Sequence, residues 1–488
     1  MRRTSVWLCA AFAAILTGLS LAAGSAPPVP AARTPIKHVV IIEEENHSFD
    51  NLLGKFCYQV SEGNIFRPGK DSRCSGAHRG LLPDGSRPPL AQTPDTGLSI
   101  NHGVKAQITE IDGGKMDGWA RAPGCSSGTH PAYACMTAFG PIDGTCGTDG
   151  TQTCIPNLVH YATDFTVADH SFEFVRASSW AGHMILASAT LDGFQGDNPT
   201  LPTSGGAGGW GCDSGQLAPW WNGTKQIHVP SCVPDTTGDM GSHWTGYSGA
   251  HAPYVPTMFD TFDLASVSWK IYGGAGGPGS DSGYIWTICP TYFECLGSSQ
   301  DNHLVPADQL VTDAQAGQLP KVSFVSPITA NSTHEPASVS VGDNWLGTVI
   351  GGLMNSSAWA STAIFLTWDD CGCFYDHVNP LAYNPHYGPR LPMVIISPYA
   401  KQGYTDPMPT SVMGVLGFIE QTFKLPPLNP CAGSQVTTCM DDANSYDFSN
   451  AFDYSQTPLP GIPSVRTAIP RRERAWLRAH PGAGNEPT

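Results

Sequence analysis

Short apolar runs, each bounded by turn-forming or polar residues, recur along the chain and predict buried β-strands. The first run, residues 36–42, is apolar at consecutive positions, which is typical of a strand covered on both faces. Further runs of strand type lie at residues 165–170, 266–272, 321–326, 363–367 and 393–397. We therefore expect these segments to form one central sheet.

Between the strands, apolar residues recur at the spacing of one helical face. In residues 343–354 they include Leu346, Ile350 and Leu353, which predicts an amphipathic helix with Asp343 as its N-cap. Residues 184–190 and 411–423 also predict helices. This order of strands and helices predicts an α/β fold with a mostly parallel sheet and helices on both faces.

Two long stretches interrupt this pattern. Residues 55–160 are rich in Gly, Pro and Cys, and we interpret them as ordered loops. Residues 191–256 are rich in Gly and Trp and predict an insertion or lid. Its tryptophans form either a lipid-contacting lip or the cores of the loops themselves.

The N-terminus has the pattern of an export signal. Arg2 and Arg3 precede an apolar segment from Val6 to Leu19, and small residues follow at Ala22 and Ala23. We predict a signal peptide at residues 1–24, a mature tail at 25–34, a catalytic domain at 35–456 and a C-terminal tail at 457–488. The expected location is secreted or periplasmic. No other stretch of the sequence predicts a transmembrane segment.

The formal net charge of −16 argues against nucleic acid as a partner and against a basic patch for anionic membranes. It leaves a metal ion open as a partner, because metal sites need carboxylates.

Cysteine usage agrees with export. Of 15 cysteines, Cys9 lies in the predicted signal, which leaves an even number. Most lie in close sequential pairs and predict disulfides that staple the loops, with the connectivity left open. The pairs are 57 and 74, 125 and 135, 146 and 154, 212 and 232, 289 and 295, and 431 and 439. Cys371 and Cys373 are too close for an unstrained bridge. Zinc ligation is the alternative, but paired Cys-x-x-Cys spacing is missing.

Polar clusters follow the predicted strands, where open α/β sheets bind ligands. They are Glu45-Asn46, Ser178-Ser179, His334-Glu335, and Asp369-Asp370 with Asp376-His377. Adjacent carboxylates repel each other unless a cation lies between them, and oxygen ligands suit a divalent ion. A serine before a helix is either an N-cap or a nucleophile. The alternative to a metal site is a set of acidic surface loops.

Three motifs resemble a bacterial phosphoesterase family that includes phosphatidylcholine-type phospholipases C and secreted acid phosphatases. Residues 45–50 read Glu-Asn-His-Ser-Phe-Asp, where the family has Glu-Asn-Arg-Ser-Phe-Asp. Residues 113–118 read Gly-Gly-Lys-Met-Asp-Gly, as in the family. Residues 367–378 are similar to the family's Thr-Tyr-Asp-Glu/Asp-x-Gly-Gly-Phe-Tyr-Asp-His-Val, with Cys373 at the second Gly. The resemblance runs from about residue 36 to 427.

The resemblance implies an alkaline-phosphatase-like, three-layer α/β/α sandwich with disulfide-stapled loop insertions. It implies a metal-dependent hydrolase whose substrate is a phosphate ester, either a phospholipid or a small phosphomonoester. By position in the motifs, Ser179 is the expected nucleophile. His102 and His334 are expected to contact the phosphoryl group or the leaving oxygen. The expected ligands of a divalent metal ion are Glu45, Asn46, Asp369 and Asp370.

Departures from the family pattern favour a second hypothesis. Gly182 stands where the family has Asn, residues 288–290 read Ile-Cys-Pro in place of a His-Asn-Pro-like segment, and Gly273 or Gly274 replaces a Glu or Asn. The resemblance implies that these positions lie on the substrate side of the pocket more than at the metal site. The alternative function is therefore a secreted binding protein that keeps the fold and is catalytically impaired.

Overall fold

The fold is that of a computed structural model, which describes most of the chain from Thr34 onward. The described residues are 34–96, 100–125, 134–141, 146, 153–202, 208–244, 248–280, 282–428 and 445–479. The predicted signal peptide, Cys431 and Cys439 lie outside them. So do most of the mature tail and the last nine residues.

The described residues contain fifteen strands. They are β1 His38–Glu44, β2 Ala91–Gln92, β3 Thr137–Ala138, β4 Thr166–Ala168, β5 Ser171–Phe172, β6 Leu201–Pro202, β7 Gln216–Trp221, β8 Gln226–Pro230, β9 Trp269–Gly273, β10 Leu304–Pro306, β11 Val322–Val325, β12 Thr362–Trp368, β13 Met393–Ile396, β14 Thr405–Asp406 and β15 Thr410–Ser411. Eight of them form the central sheet in the order β10-β9-β11-β1-β12-β13-β4-β14. All pairings in this sheet are parallel except those of β13, which runs against both of its neighbours.

The six predicted strands are confirmed, with β1 and β12 at the centre of the sheet. Their apolar runs are continuous because both faces of these strands are covered. The structure adds β10 and β14 at the two edges. These edge strands have only three and two residues, and their sequences carry no comparable apolar run.

Ten α-helices accompany the strands in the described part of the chain. They are α1 Lys55–Ser61, α2 Val104–Ile111, α3 Pro156–Asp164, α4 Ser179–Ser188, α5 Met258–Leu264, α6 Phe293–Leu296, α7 Gln309–Gln315, α8 Val339–Met354, α9 Met413–Phe423 and α10 Arg471–Ala479.

Alternate residues of β1 separate the two layers of helices. Val39 and Ile41 lie in one apolar core with residues of α4, α5 and α9. Val40 and Ile42 lie in another, with residues of α1, α3, α7 and α8. Because successive side chains of a strand point to opposite faces, this division places helices on both sides of the sheet. The predicted α/β/α sandwich with a mostly parallel sheet is confirmed.

The predicted cap of helix α8 is wrong. The helix begins at Val339, and the Ser338 hydroxyl caps it by accepting from the Val341 amide at 3.2 Å. Asp343 instead lies inside α8 and caps α3, a helix within the stretch expected to be loops. Its carboxylate accepts from the backbone amides of Asn157 at 3.0 Å and Leu158 at 2.9 Å.

Five of the cysteine pairs form disulfides, which confirms the predicted staples. They are Cys57–Cys74, Cys125–Cys135, Cys146–Cys154, Cys212–Cys232 and Cys289–Cys295. One of them closes part of the insertion at residues 191–256, which also contains the three-stranded sheet β6-β7-β8. Trp210 and Trp244 are buried there, whereas Trp221 is 40% exposed. The tryptophans therefore mainly form loop cores. In the described residues, no helix has the length and apolar character needed to cross a membrane.

Candidate active site

The carboxyl ends of β1 and β12 bring the two acidic motifs together. The strands pair in parallel with Glu44 opposite Trp368, so the residues that follow each strand are also neighbours. The Asp369 amide donates to the Glu44 carbonyl at 3.0 Å. The Asn46 amide in turn donates to Asp369 Oδ1 at 2.9 Å. Neighbouring strands of one sheet thus position the carboxylates that lie far apart in sequence.

Helix α4 brings Ser179 to the same edge. Ser178 occupies the extended N-cap position, and Ser179 is the first helical residue. The Ser179 hydroxyl donates to Asp370 Oδ2 at 3.0 Å, and its oxygen lies 3.3 Å from the side-chain amide of Asn46. The cap position therefore belongs to the neighbouring serine, and Ser179 faces the acidic motifs.

Gly182 allows this approach of helix and strand. A Cβ atom at this position would lie 2.4 Å from the Asp369 carbonyl oxygen. An Asn, which the family pattern has here, would require the helix to move away. The glycine at position 182 therefore allows α4 to pack directly against the acidic loop.

His183, one residue further along α4, was not among the expected ligands. Its Nδ1 lies 2.7 Å from Glu43 Oε2, and its Nε2 lies 2.9 Å from Glu45 Oε1. Burial alone would lower the pKa of His183, but the two carboxylates outweigh it and raise this pKa well above its ordinary value. Glu43 was not among the expected ligands either. The alternation of β1 predicts otherwise, because residues 43 and 45 point to the same face.

The two expected histidines lie on the other side of Ser179. His102 donates from Nδ1 to the Ile100 carbonyl at 2.8 Å, and its Nε2 lies 3.9 Å from Asp370 Oδ2. His334 donates from Nδ1 to the Glu335 carbonyl at 2.7 Å. Both rings are buried, and their centroids are 6.4 Å apart. In each ring, Nδ1 is held by a carbonyl and Nε2 points toward the Ser179–Asp370 pair or Asn46.

The Asn46 amide lies between His334 and Asp370. One of its two side-chain atoms is 2.9 Å from His334 Nε2, and the other is 3.1 Å from Asp370 Oδ1. Both contacts become hydrogen bonds when the Asn46 oxygen accepts from His334 Nε2 and the Asn46 nitrogen donates to Asp370. The amide of Asn46 thus links the histidine to the carboxylate that contacts Ser179.

The residues present fit a divalent cation. Glu45, His183 and Asp369 each offer a ligand atom, and these atoms lie within 4.8 Å of one another. Glu45 Oε2 and Asp369 Oδ2 are buried and have no hydrogen-bond partner among the described residues. Burial and the charge of Asp369 raise the pKa of Glu45, and the neighbouring His183 offsets this only in part. Carboxylate, amide and imidazole ligands suit a hard or borderline ion.

Asp376 and His377 do not join this group, although they follow the same strand. With Asp50 and Arg390 they form a separate buried ionic cluster. Arg390 Nε lies 2.9 Å from Asp376 Oδ1, its Nη2 lies 3.2 Å from Asp50 Oδ1, and His377 Nδ1 lies 2.5 Å from Asp50 Oδ2. Each carboxylate in this cluster has a cationic partner, which is the pattern of a structural ion network.

A cavity of about 610 Å³ borders the N-terminal turn of α4. Asn198 lines it and accepts from the Trp180 amide at 2.9 Å. Its described lining also includes Lys105, Arg121 and His228 and lacks Phe, Tyr and Trp. The cavity lies next to His102 and Ser179 in sequence, but none of the seven expected site residues lines it.

Comparisons with known proteins identify the family of this chain. The Phosphoesterase family model matches residues 36–426. A non-hemolytic phospholipase C of Burkholderia pseudomallei is 24% identical over 312 residues, which cover 51% of this chain and 43% of that protein. Phospholipase C A of Mycobacterium tuberculosis is 23% identical over 482 residues, covering 90% of this chain and 81% of that protein.

The match to the Burkholderia protein therefore spans less than half of that protein's length. Among solved structures, a protein of the alkaline phosphatase superfamily from Vibrio parahaemolyticus aligns with a TM-score of 0.30 and 14% identity, over 75% of this chain and 74% of that one. A TM-score this low carries no argument about the fold. The family model covers most of the chain, including each acidic motif, and this chain belongs to the phosphoesterase family.

Proposed function

We propose that this chain is an exported, metal-dependent phosphoesterase that uses Ser179 as its nucleophile. The observation that carries the proposal is the contact of Ser179 Oγ with Asp370 Oδ2 at 3.0 Å, at the N-terminus of a helix and within a buried acidic cluster. A helix N-terminus favours the negative charge of a phosphoryl group. Five described disulfides support an oxidising location.

A divalent cation would be held by Glu45, Asn46, Asp369 and Asp370, with His183 as a further ligand. Such an ion, when bound, neutralises phosphoryl oxygens and favours the alkoxide form of a serine hydroxyl. His183 would then release the proton it shares with Glu45 and ligate through Nε2.

The chain's own groups supply the remaining chemistry. Ser179 passes its proton to Asp370 Oδ2, and Oγ attacks phosphorus to form a phosphoserine. The ester oxygen leaves and takes a proton at Nε2 of His102 or His334, whose Nδ1 atoms are held by backbone carbonyls. Water then attacks phosphorus and gives a proton to the histidine, the Oγ–P bond breaks, and Ser179 regains its proton from Asp370.

Two substrate classes remain within this proposal. The names of the relatives favour a phospholipase C that cleaves phospholipid head groups. The described lining of the cavity next to α4 favours an acid phosphatase that acts on small monoesters. It contains Lys105 and Arg121 but no Phe, Tyr or Trp, whose ring faces recognise a quaternary ammonium. We propose the monoester as the preferred substrate.

The test is an ester panel with matched serine variants. Purified protein is assayed on p-nitrophenyl phosphate, p-nitrophenyl phosphorylcholine and phosphatidylcholine vesicles, with and without a chelator. Ser179→Ala is expected to lose at least a thousandfold in kcat, the order of magnitude for loss of a nucleophile. Ser178→Ala is the control, because its hydroxyl is buried next to Ser179 and has no hydrogen-bond partner among the described residues. Full activity of Ser179→Ala would contradict the proposed nucleophile.

The alternative is the impaired binding protein. The assembled cluster of Ser179, Asp370 and the two histidines speaks against it, as does the fit of Gly182 to the acidic loop. If the metal-loaded protein binds inorganic phosphate in calorimetry but turns over no ester of the panel, the binding protein is the better description.

A further inference from the structure

The loop after the catalytic aspartates contains two thiols that stand apart from the other cysteines. Cys371 and Cys373 are both free and buried, whereas the other described cysteines form disulfides. They are separated by one glycine, and a disulfide between them would close a very short, strained ring. The loop therefore holds two thiols side by side without a bridge.

A third ligand-type group reaches the same point from helix α2. One carboxylate oxygen of Glu110 and the sulfur atoms of the two cysteines all lie within 4.8 Å of one another. Glu110 is fully buried. Apart from the Cys373 thiol, no described residue supplies a hydrogen-bond donor to either of its carboxylate oxygens. A buried carboxylate without donors is costly, and a cation among these three groups would remove that cost.

The backbone conformation of Cys373 also indicates an interaction of its sulfur atom. Its φ is +54°, a left-handed conformation that favours glycine, and the family motif has Gly at this position. The cysteine side chain is therefore held in a strained conformation with its sulfur among the ligand-type groups. A stabilising interaction of that sulfur would offset the strain.

We propose that Glu110, Cys371 and Cys373 form a second metal site, distinct from the oxygen-rich centre, for zinc or a similar borderline divalent ion. Tetrahedral zinc with Zn–S bonds of about 2.3 Å needs sulfur atoms about 3.8 Å apart, within the observed spacing. Thiolates select such ions, whereas calcium and magnesium prefer oxygen. On binding, the two thiols lose their protons to solvent.

The same loop connects this site to the active site. The Gly372 amide donates to Asp370 Oδ1 at 2.6 Å, and the Cys371 amide donates to Glu173 Oε1 at 2.6 Å. A Cβ atom at Gly372 would lie 2.2 Å from the Asn46 carbonyl oxygen. An ion on the two sulfur atoms would therefore fix the backbone that orients Asp370.

The experiment measures ligation directly in the full-length protein. Protein stripped of metal under reducing conditions is loaded with Co²⁺, whose bonds to thiolate give charge-transfer absorption in the near ultraviolet. Wild-type protein is expected to show this absorption. Cys373→Gly is expected to lose it and to bind one zinc ion fewer in metal analysis. This variant suits the left-handed backbone, so its fold is expected to be intact.

Two further variants separate the sites. Glu110→Gln leaves both thiols in place and is expected to weaken zinc binding at least tenfold in a competition assay. Asp369→Asn alters only the oxygen-rich centre and is expected to keep the cobalt–thiolate absorption. The cobalt–thiolate absorption and the zinc affinity can therefore be interpreted whatever the ester panel shows.

The proposal is overturned if wild-type protein shows no charge-transfer absorption with saturating Co²⁺. It is also overturned if both thiols react with iodoacetamide at the same rate with and without zinc. A Cys371–Cys373 disulfide found by mass spectrometry of the protein as isolated would likewise contradict it.

Discussion

At the scale of single residues, the site depends on positions that lack a side chain as much as on those that carry one. Gly182 leaves α4 in direct contact with the Asp369 backbone, and Gly372 does the same for the loop against Asn46. Ser179 and Asp370 come within hydrogen-bond distance only because these two approaches are possible.

Replacement of Gly182 by Ala is therefore expected to harm both folding and catalysis. The added methyl group would overlap the Asp369 carbonyl oxygen, and relief of such overpacking costs about 1–3 kcal/mol. Urea unfolding and kcat on the preferred ester measure the two effects. Gly351→Ala in helix α8 is the matched control, since an added Cβ atom would lie 3.6 Å from Ser464, an ordinary contact distance. Equal stability of both variants would contradict the close packing of α4.

The sequence predicted the position of His47 within the first motif but not its surroundings in the folded chain. The motif placed it where the family has Arg. In the structure His47 stacks on Phe374 with a centroid distance of 5.3 Å, and burial lowers its pKa to about 4. The ring is therefore neutral at physiological pH, and the fixed positive charge of an Arg is absent here. The pairing of His183 with Glu43 was also missed, because it joins residues 140 positions apart.

At the scale of elements, the missed helix α3 has a physical explanation. Its first turn is capped by Asp343 from helix α8, 186 positions away from Asn157. Its surroundings in sequence are rich in turn-forming residues and cysteine, which masked the short apolar pattern. Elements with their own strong periodicity, such as α8 and the central strands, were predictable from sequence. Elements stabilised by remote partners were not.

Asp343→Ala is expected to destabilise the protein by about 1–2 kcal/mol, since it removes the cap of α3. The change leaves the Asn157 and Leu158 amides without their acceptor. Urea unfolding gives the difference in free energy. Thr348→Ala on the exposed side of the same helix is the control and is expected to change stability by less than about 0.5 kcal/mol. Similar losses in both variants would argue against the capping role.

Helix α10 is expected to dock more weakly as the pH rises. Partial burial and the nearby Asp95 raise the pKa of Glu473 from 4.5 to about 8, and Ser338 donates to its carboxyl oxygen at 3.2 Å. The docked state thus binds a proton that the undocked state releases above about pH 4.5. Docking is strongest below that pH, weakens between the two values, and is weakest above about pH 8.

Hydrogen exchange of the α10 amides between pH 5 and 9, corrected for intrinsic rates, measures this effect. The positive charge of Arg472 opposes the shift and is present in all variants. Glu473→Gln cannot release a proton, and its protection is expected to stay constant over the same range. The same pH dependence in wild type and variant would contradict the assignment.

At the scale of the whole molecule, the sequence predicted the sandwich, the strands that end at the site and the seven residues that meet there. Long apolar runs and adjacent carboxylates carry this information locally. The division of the acids into a metal-type centre at Asp369 and a paired network at Asp376 depends on Arg390, which only the folded chain brings near. The role of each site residue stays a prediction until the variants are assayed.

Chelation is expected to affect the whole protein as well as its activity. Removal of the ion leaves Glu45, Asp369 and Asp370 buried close together, so the thermal midpoint should fall with activity. An ion at 100 times its dissociation constant stabilises the folded state by about 2.7 kcal/mol. Scanning calorimetry with EDTA, and with metal-saturated EDTA as control, measures the change. An unchanged midpoint and full activity after complete removal of metal would contradict the proposed centre.

The reversed direction of β13 gives the acidic edge of the sheet a counter-ion of its own. Because this strand runs against β12, with Met393 opposite Thr367, its amino-terminal flank lies where the parallel strands end. That flank carries Arg390, buried against Asp50, Asp376 and the ring of Phe49. The edge thus has two kinds of charge compensation. Arg390 is tethered to the backbone and survives dialysis, dilution and chelators, whereas the proposed ion would exchange with the medium. Only the ion would let the surrounding solution control the proposed activity.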